Sequence, residues 1–328
     1  MQIELTSSVP ERRTPNSLEA YESFLRGLHA REQFNRPGMQ EAIADFKQAL
    51  DLDPHLVPAE EQLAVTQWDM SAWGFILPEA GYKEARAAAD RALTLDTKSG
   101  TAHAVLCQLH TRYDWNWVAA GQECDSARQS SPHSSFVLDQ AANLQMVLGN
   151  WDAASDLIEA ARAADPLDPR IHETSSDVYV RARRYSDAEQ ALRRLIAIAP
   201  TYVFAHCALA IVLVESGRSQ EALTEANKET EPMERELGLA IANHAINRPQ
   251  DAEKALAELE TEARHLWPMA VAEANAFLGH KDRAFDWLNR AYDEKDSTLY
   301  WIRGDPLLRN LERDPRYTAF LRKMNLPE

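Results

Sequence analysis

Glycine is scarce, with eleven in 328 residues, and none of the eleven builds a phosphate-cradling glycine-rich loop. The G-x-S-x-G nucleophile elbow, the H-E-x-x-H zinc-protease motif and C-x-x-C are missing too. No ordinary enzyme site is therefore visible, and the expectation is a non-catalytic chain with no cofactor. Strand-like alternation of polar and apolar residues is nowhere sustained, which excludes a sheet-built fold. No apolar run approaches the ~18 residues of a membrane span, and the opening Met-Gln-Ile-Glu-Leu lacks a basic stretch followed by an apolar core. Basic residues are outnumbered, 35 Lys and Arg against 51 Asp and Glu, for a net charge of −16. That excess argues against a general grip on nucleic acid, which needs clustered cations. Three cysteines, an odd number without framework spacing, suit a reducing, cytoplasmic compartment.

What the chain does have is a repeat. Pro132, Pro166 and Pro200 stand 34 residues apart, as do Ala154, Ala188 and Ala222. This is the period of a tetratricopeptide array, in which each unit is a helical hairpin and proline closes the second helix. Within a unit, a small residue is followed by apolar or small residues four and seven places on and by proline at twelve. Ala42, Phe46, Ala49 and Pro54 fit, as do Ala120, Cys124, Ala127 and Pro132; Ala154, Ile158, Ala161 and Pro166; and Ala188, Leu192, Leu195 and Pro200. Ala85, Ala89 and Ala92 end instead in Thr97, and Ala222, Ala252 and Ala284 open degenerate units. Two antiparallel helices approach closely only where one contributes a residue without bulk, which is the reason for the alanines. Gly149, Gly217 and Gly279 fall where the first helix must end in a left-handed residue. The expected fold is an all-α, right-handed superhelical solenoid of about eight hairpins with a C-terminal capping helix. Residues 1–16 read as a polar lead-in, 17–296 as the array and 297–328 as the cap.

The less regular segments carry a resemblance. Ala20-Tyr21-Glu22-Ser23-Phe24-Leu25-Arg26-Gly27, Tyr113-Asp114-Trp115-Asn116-Trp117, the stretch Asp282 to Tyr292, Asp305-Pro306-Leu307-Leu308 and Asp314-Pro315-Arg316-Tyr317 resemble the tetratricopeptide tail of bacterial winged-helix transcription regulators and adenylate cyclases. The resemblance implies a regulatory or scaffolding module in signalling. Neither effector domain is present in the sequence, so the alternative is the regulatory tail of an enzyme or regulator whose effector lies elsewhere.

Candidate binding residues follow from the second, fifth, ninth and twelfth places of successive first helices, a stripe facing away from the second helix. They are Phe136, Asp139, Asn143 and Met146; then Arg170, Glu173 and Asp177; then Phe204, Ile211 and Val214. Interleaved carboxylates and apolar side chains fit a protein or peptide partner, of basic and amphipathic character. Carboxylates that only solvate an exposed face are an equal alternative. Trp73, in the insertion from Asp69 to Lys83, is a possible loop contact. His103, Cys107, His110 and Cys124 have ligand-like spacing, but His172 and His206 recur at the place of His103 without cysteines nearby. No metal is expected there, and no Cys107–Cys124 disulfide. Of Trp115 and Trp117, at least one should fill the space opened by an extra residue at the turn; Trp68, Trp151 and Trp287 should pack.

Overall fold

The computed structural model describes residues 17–326 apart from 34, 73–74, 77 and 264–266. The lead-in 1–16 and the candidate Trp73 thus lie outside the described residues. The chain divides into two compact units, one up to Thr97 and one from Lys98 onward.

The described residues of the first unit form two hairpins. They are α1 (Leu18–Arg31) with α2 (Arg36–Leu52), and α3 (Val57–Ala72) with α4 (Pro78–Leu95). Gly27 lets α1 and α2 touch, because a Cβ there would stand 2.5 Å from the Phe46 ring. The expected insertion between α3 and α4 is taken up mainly by lengthening both helices. Its first residue, Asp69, is buried and paired with Arg31 at 3.0 Å.

The second unit holds six hairpins. In order these are α5 (Gly100–Leu109) and α6 (Trp117–Ser130), α7 (Ser135–Val147) and α8 (Trp151–Ala164), and α9 (Pro169–Arg181) and α10 (Tyr185–Ile198). Then follow α11 (Ala205–Glu215) and α12 (Ser219–Ala226), α13 (Pro232–Ala245) and α14 (Pro249–Glu262), and α15 (Pro268–Phe277) and α16 (Lys281–Asp293). Side-chain caps start several of them: Ser99 accepts from the Ala102 amide, Asn116 from Ala119 and Asp168 from Arg170. Gly149, Gly217 and Gly279 have φ of 79°, 76° and 92°, the left-handed ends expected of them. Across both units, Ala42, Ala85, Ala120, Ala154, Ala188, Ala222, Ala252 and Ala284 have no exposed surface. One alanine thus seals each of eight hairpins, and four prolines stand two residues beyond α2, α6, α8 and α10.

The extra residue near Tyr113 is absorbed as a π turn, His110–Asp114, continuing α5 and ending in a left-handed Trp115. Both tryptophans then work structurally. Trp115 is buried against Tyr292 at 5.1 Å, with Lys295 Nζ 4.0 Å from its ring, and Trp117 Nε1 donates to the Met324 carbonyl. The first hairpin of this unit therefore meets the sixth hairpin and α17 (Pro315–Lys323).

Two expectations need correction or enlargement. Cys107 and Cys124 are joined in a disulfide, their Cα atoms 5.2 Å apart across the α5–α6 seam. With two of three cysteines bonded, a reducing compartment no longer follows from the cysteine count. His103 pairs with Glu123 and His110 with Asp114, each at 2.6 Å, so these histidines face carboxylates. The tail also does more than cover the last hairpin. It packs on α15, where the Met269 amide donates to Asp296 and Asn310 donates to the Ala276 carbonyl, and it continues to the C-terminal ends of α9, α7 and α5 through Arg181, Leu148 and Arg112.

Candidate functional site

The first helices of the second unit turn one face inward, and residues 299–311 lie along it as two 3-10 turns, Leu299–Ile302 and Pro306–Leu311. Arg181, at the end of α9, donates to the Trp301 carbonyl at 3.1 Å. The same guanidinium stands 3.8 Å from Asp177 and 4.0 Å from Asp305. Arg303 donates to the Leu148 carbonyl, and Arg309 reaches Tyr185 at 3.0 Å and Glu215 at 2.8 Å. Arg112, in the π turn, lies 4.7 Å over the Tyr300 ring. Gly304, with φ of 71°, passes so close to Trp151 that a Cβ would stand 2.9 Å from its ring.

Beside this segment a cavity of about 50 Å³ remains, enough for a few waters or the tip of one side chain. Its lining combines polar residues, Asp177, Arg181, Glu273 and Asp305, with apolar ones, Val180, Phe204, Ile211, Trp267, Trp301 and Leu307. Phe204 meets Trp267 edge to face at 5.7 Å and holds φ of 72°. A non-glycine residue in that conformation is costly, and such strain gathers at binding sites. Arg181 Nε and Trp301 Nε1 are buried donors without a hydrogen-bond partner among the described residues. A buried donor left unpaired costs free energy, which an approaching carbonyl would recover.

The sequence-derived residues divide into two groups. Asp177, Phe204 and Ile211 line the cavity, and Val214 packs in the apolar cluster that also contains Leu307. Glu173 accepts from the Tyr202 hydroxyl at 2.7 Å on the rim of a smaller void next to it. Asp139 and Asn143 sit further along the same face, buried, with the Asn143 amide donating to the Asp139 carbonyl at 3.1 Å. Arg170 is turned back on Asp168 in a bidentate pair of 3.1 and 2.8 Å. Phe136 packs on Ala104, Ala127 and Val137, and Met146 is fully buried.

Carboxylates outnumber cations on this face, and burial raises them. Asp139 and Asp177 are pushed up to about 6 by loss of water, and Glu173 to about 7 by the same cause with repulsion from Asp177 added. Glu273 is raised well above the carboxylate range by burial and by Asp305, with which it shares a hydrogen bond.

The stripe read from the sequence missed Arg112, Arg181 and everything contributed by the tail. The two arginines were within reach. Each stands one place beyond the stripe, thirteenth from the start of its helix A, on the shoulder of the same face.

Comparison with known proteins fits this geometry. Residues 140–203 match the family model described as Tetratricopeptide repeat. None of the curated proteins matches the chain in sequence. Among solved structures, the human IFIT1 dimer with m7Gppp-AAAA is similar with a TM-score of 0.61 at 13% identity, over 84% of this chain and 72% of that one. PilW, a type IV pilus biogenesis factor, is similar with a TM-score of 0.52 at 18% identity, over 64% of this chain and 94% of that one. At such identities the likeness concerns the fold alone. With the repeat match confined to residues 140–203, the alanine seams and the eight consecutive hairpins among the described residues give the chain an all-helical solenoid fold like that of tetratricopeptide-repeat proteins.

Proposed function

We propose that the protein is a non-catalytic scaffold whose second unit receives a peptide segment of a protein partner on its concave face. The observation that carries this reading is the cavity beside residues 301–307, lined by apolar side chains together with carboxylates, where the buried Arg181 Nε has no acceptor among the described residues. A peptide supplies what is missing: an apolar anchor for Phe204, Ile211 and Trp267, a carbonyl for Arg181, and a Lys or Arg for the surplus negative charge. Asp139, Glu173 and Asp177 favour basic, amphipathic segments and disfavour acidic ones. The resemblance to regulator and cyclase tails supports a regulatory place in bacterial signalling.

A peptide library displayed against the purified protein tests this. Basic amphipathic sequences are expected to be enriched. Phe204→Ala should speed their dissociation roughly tenfold, as loss of a central anchor does. Charge reversal at Glu173 and Asp177 should slow association and flatten its salt dependence. Enrichment of acidic peptides, or binding indifferent to all three changes, would overturn the reading.

A further inference from the structure

The concave face already holds a peptide, and it belongs to the chain. Residues 299–308 are gripped as a docked segment would be. Arg181 and the Leu148 carbonyl hold its backbone and its arginine, and Arg112 covers Tyr300. Tyr300, Ile302 and Leu308 point their bulk into buried surroundings. The partners are far away in sequence, Leu148 by 155 residues and Arg181 by 120. The segment's own backbone support is slight, since its 3-10 turns span four and six residues and such turns hold poorly aligned bonds. Flanking it on both sides, α16 and α17 have regular helical ladders. A weakly self-supported stretch between firm anchors is the kind that opens locally without global unfolding.

We propose that residues 299–308 are an intramolecular stand-in for the partner, and that a docking peptide gains the groove by displacing them. The competitor would share their chemistry, a short run of aromatic and aliphatic anchors with an arginine, as in Tyr300, Ile302 and Arg303. This rests on reading the concave face as a docking groove.

The probe is a fluorescent synthetic peptide with the sequence of residues 299–311, titrated against the full-length chain. Wild type should bind it weakly, because the groove is populated by the tethered copy. Arg303→Ala removes the bond to Leu148, and Gly304→Val drives a side chain into Trp151 at a left-handed position. Both variants should bind the probe about tenfold or more tighter, as expected when the competent fraction rises. Hydrogen exchange supplies the second readout, in wild type as well as in the variants. Amides of 299–311 should exchange through openings that leave α9 and α15 protected. The proposal fails if the variants bind the probe no better than wild type, or if wild-type 299–311 exchanges only when the whole second unit unfolds. Failure of the peptide library with success of this probe would count against the scaffold reading alone.

Discussion

Within the second unit, the seams of the hairpins and the concave face are built on opposite terms. The seams are dry and repeat: an alanine with no exposed surface, an apolar neighbour one turn later, a proline after the helix. The concave face is polar, irregular and closed by a segment from the far end of the chain, with Glu273 and Asp305 sharing a hydrogen bond beneath it. Seams are made by residues close in sequence, so their packing rule recurs from Ala120 through Ala154, Ala188 and Ala222 at 34 positions and at slightly shorter spacings to Ala252 and Ala284, and it secures the architecture. The groove is made by residues as distant in sequence as Leu148 and Arg303 or Arg112 and Tyr300, and what it does depends on contacts that no local rule dictates.

If the seams carry the stability, changes there should be the most costly. The first seam of this unit is also covalent, and Cys124→Ser should cost about 2–4 kcal/mol in urea denaturation, with wild type in reductant following it. An unchanged midpoint would remove the disulfide from the account. Next in size, Ala154→Leu forces bulk into a seam with no room and should cost about 1–3 kcal/mol. A neutral result would mean the helices are not held at close approach. Both changes should leave the probe affinity of the groove unaltered once the protein is folded.

The concave face should show itself through pH. Asp139, Glu173 and Asp177 keep their protons up to about 6, 7 and 6 in the folded chain, whereas ordinary carboxyls release them near 3.8 to 4.5. The folded state therefore binds more protons across that interval, and the contribution of this face to stability falls as pH rises from about 4 to about 7. Glu173→Gln, which retains a hydrogen-bonding group for Tyr202 without the charge, should flatten the upper part of the slope. Urea midpoints measured at half-unit pH steps decide it, and an unaltered slope would show that Glu173 titrates normally. The smallest effect belongs to neither region. Arg26 pairs with Asp45 at 3.3 Å with its side chain half exposed, and Arg26→Ala should move the melting temperature by no more than about 1 °C.

The contrast also explains what was legible beforehand. Eight hairpins could be counted from Ala42 through Ala284, and the left-handed glycines could be placed, because each follows from sterics inside one hairpin. Asp177, Phe204 and Ile211 were reachable because a helix face follows from its period. Arg181, Glu273 and Trp301 were not joined to them, since that requires knowing where residues 299–311 travel. The family-like segments gain a physical meaning here. Trp115 meets Tyr292, Trp117 holds Met324 and Arg316 pairs with Asp282 at 2.7 Å. These motifs join the first hairpin of the second unit to its last hairpin and tail, so they speak of architecture more than of any effector domain. The disulfide was missed because its case rested on compartment, while the seam itself places position 124 opposite 107.

If the inward face of the second unit is the docking surface, the tail must yield it to a bound peptide. Hydrogen exchange of the full chain with and without a library-selected peptide tests this most directly. In the complex, α9 and α11 should become protected while residues 299–311 exchange faster. Protection confined to residues 17–97, with 299–311 unchanged, would contradict it.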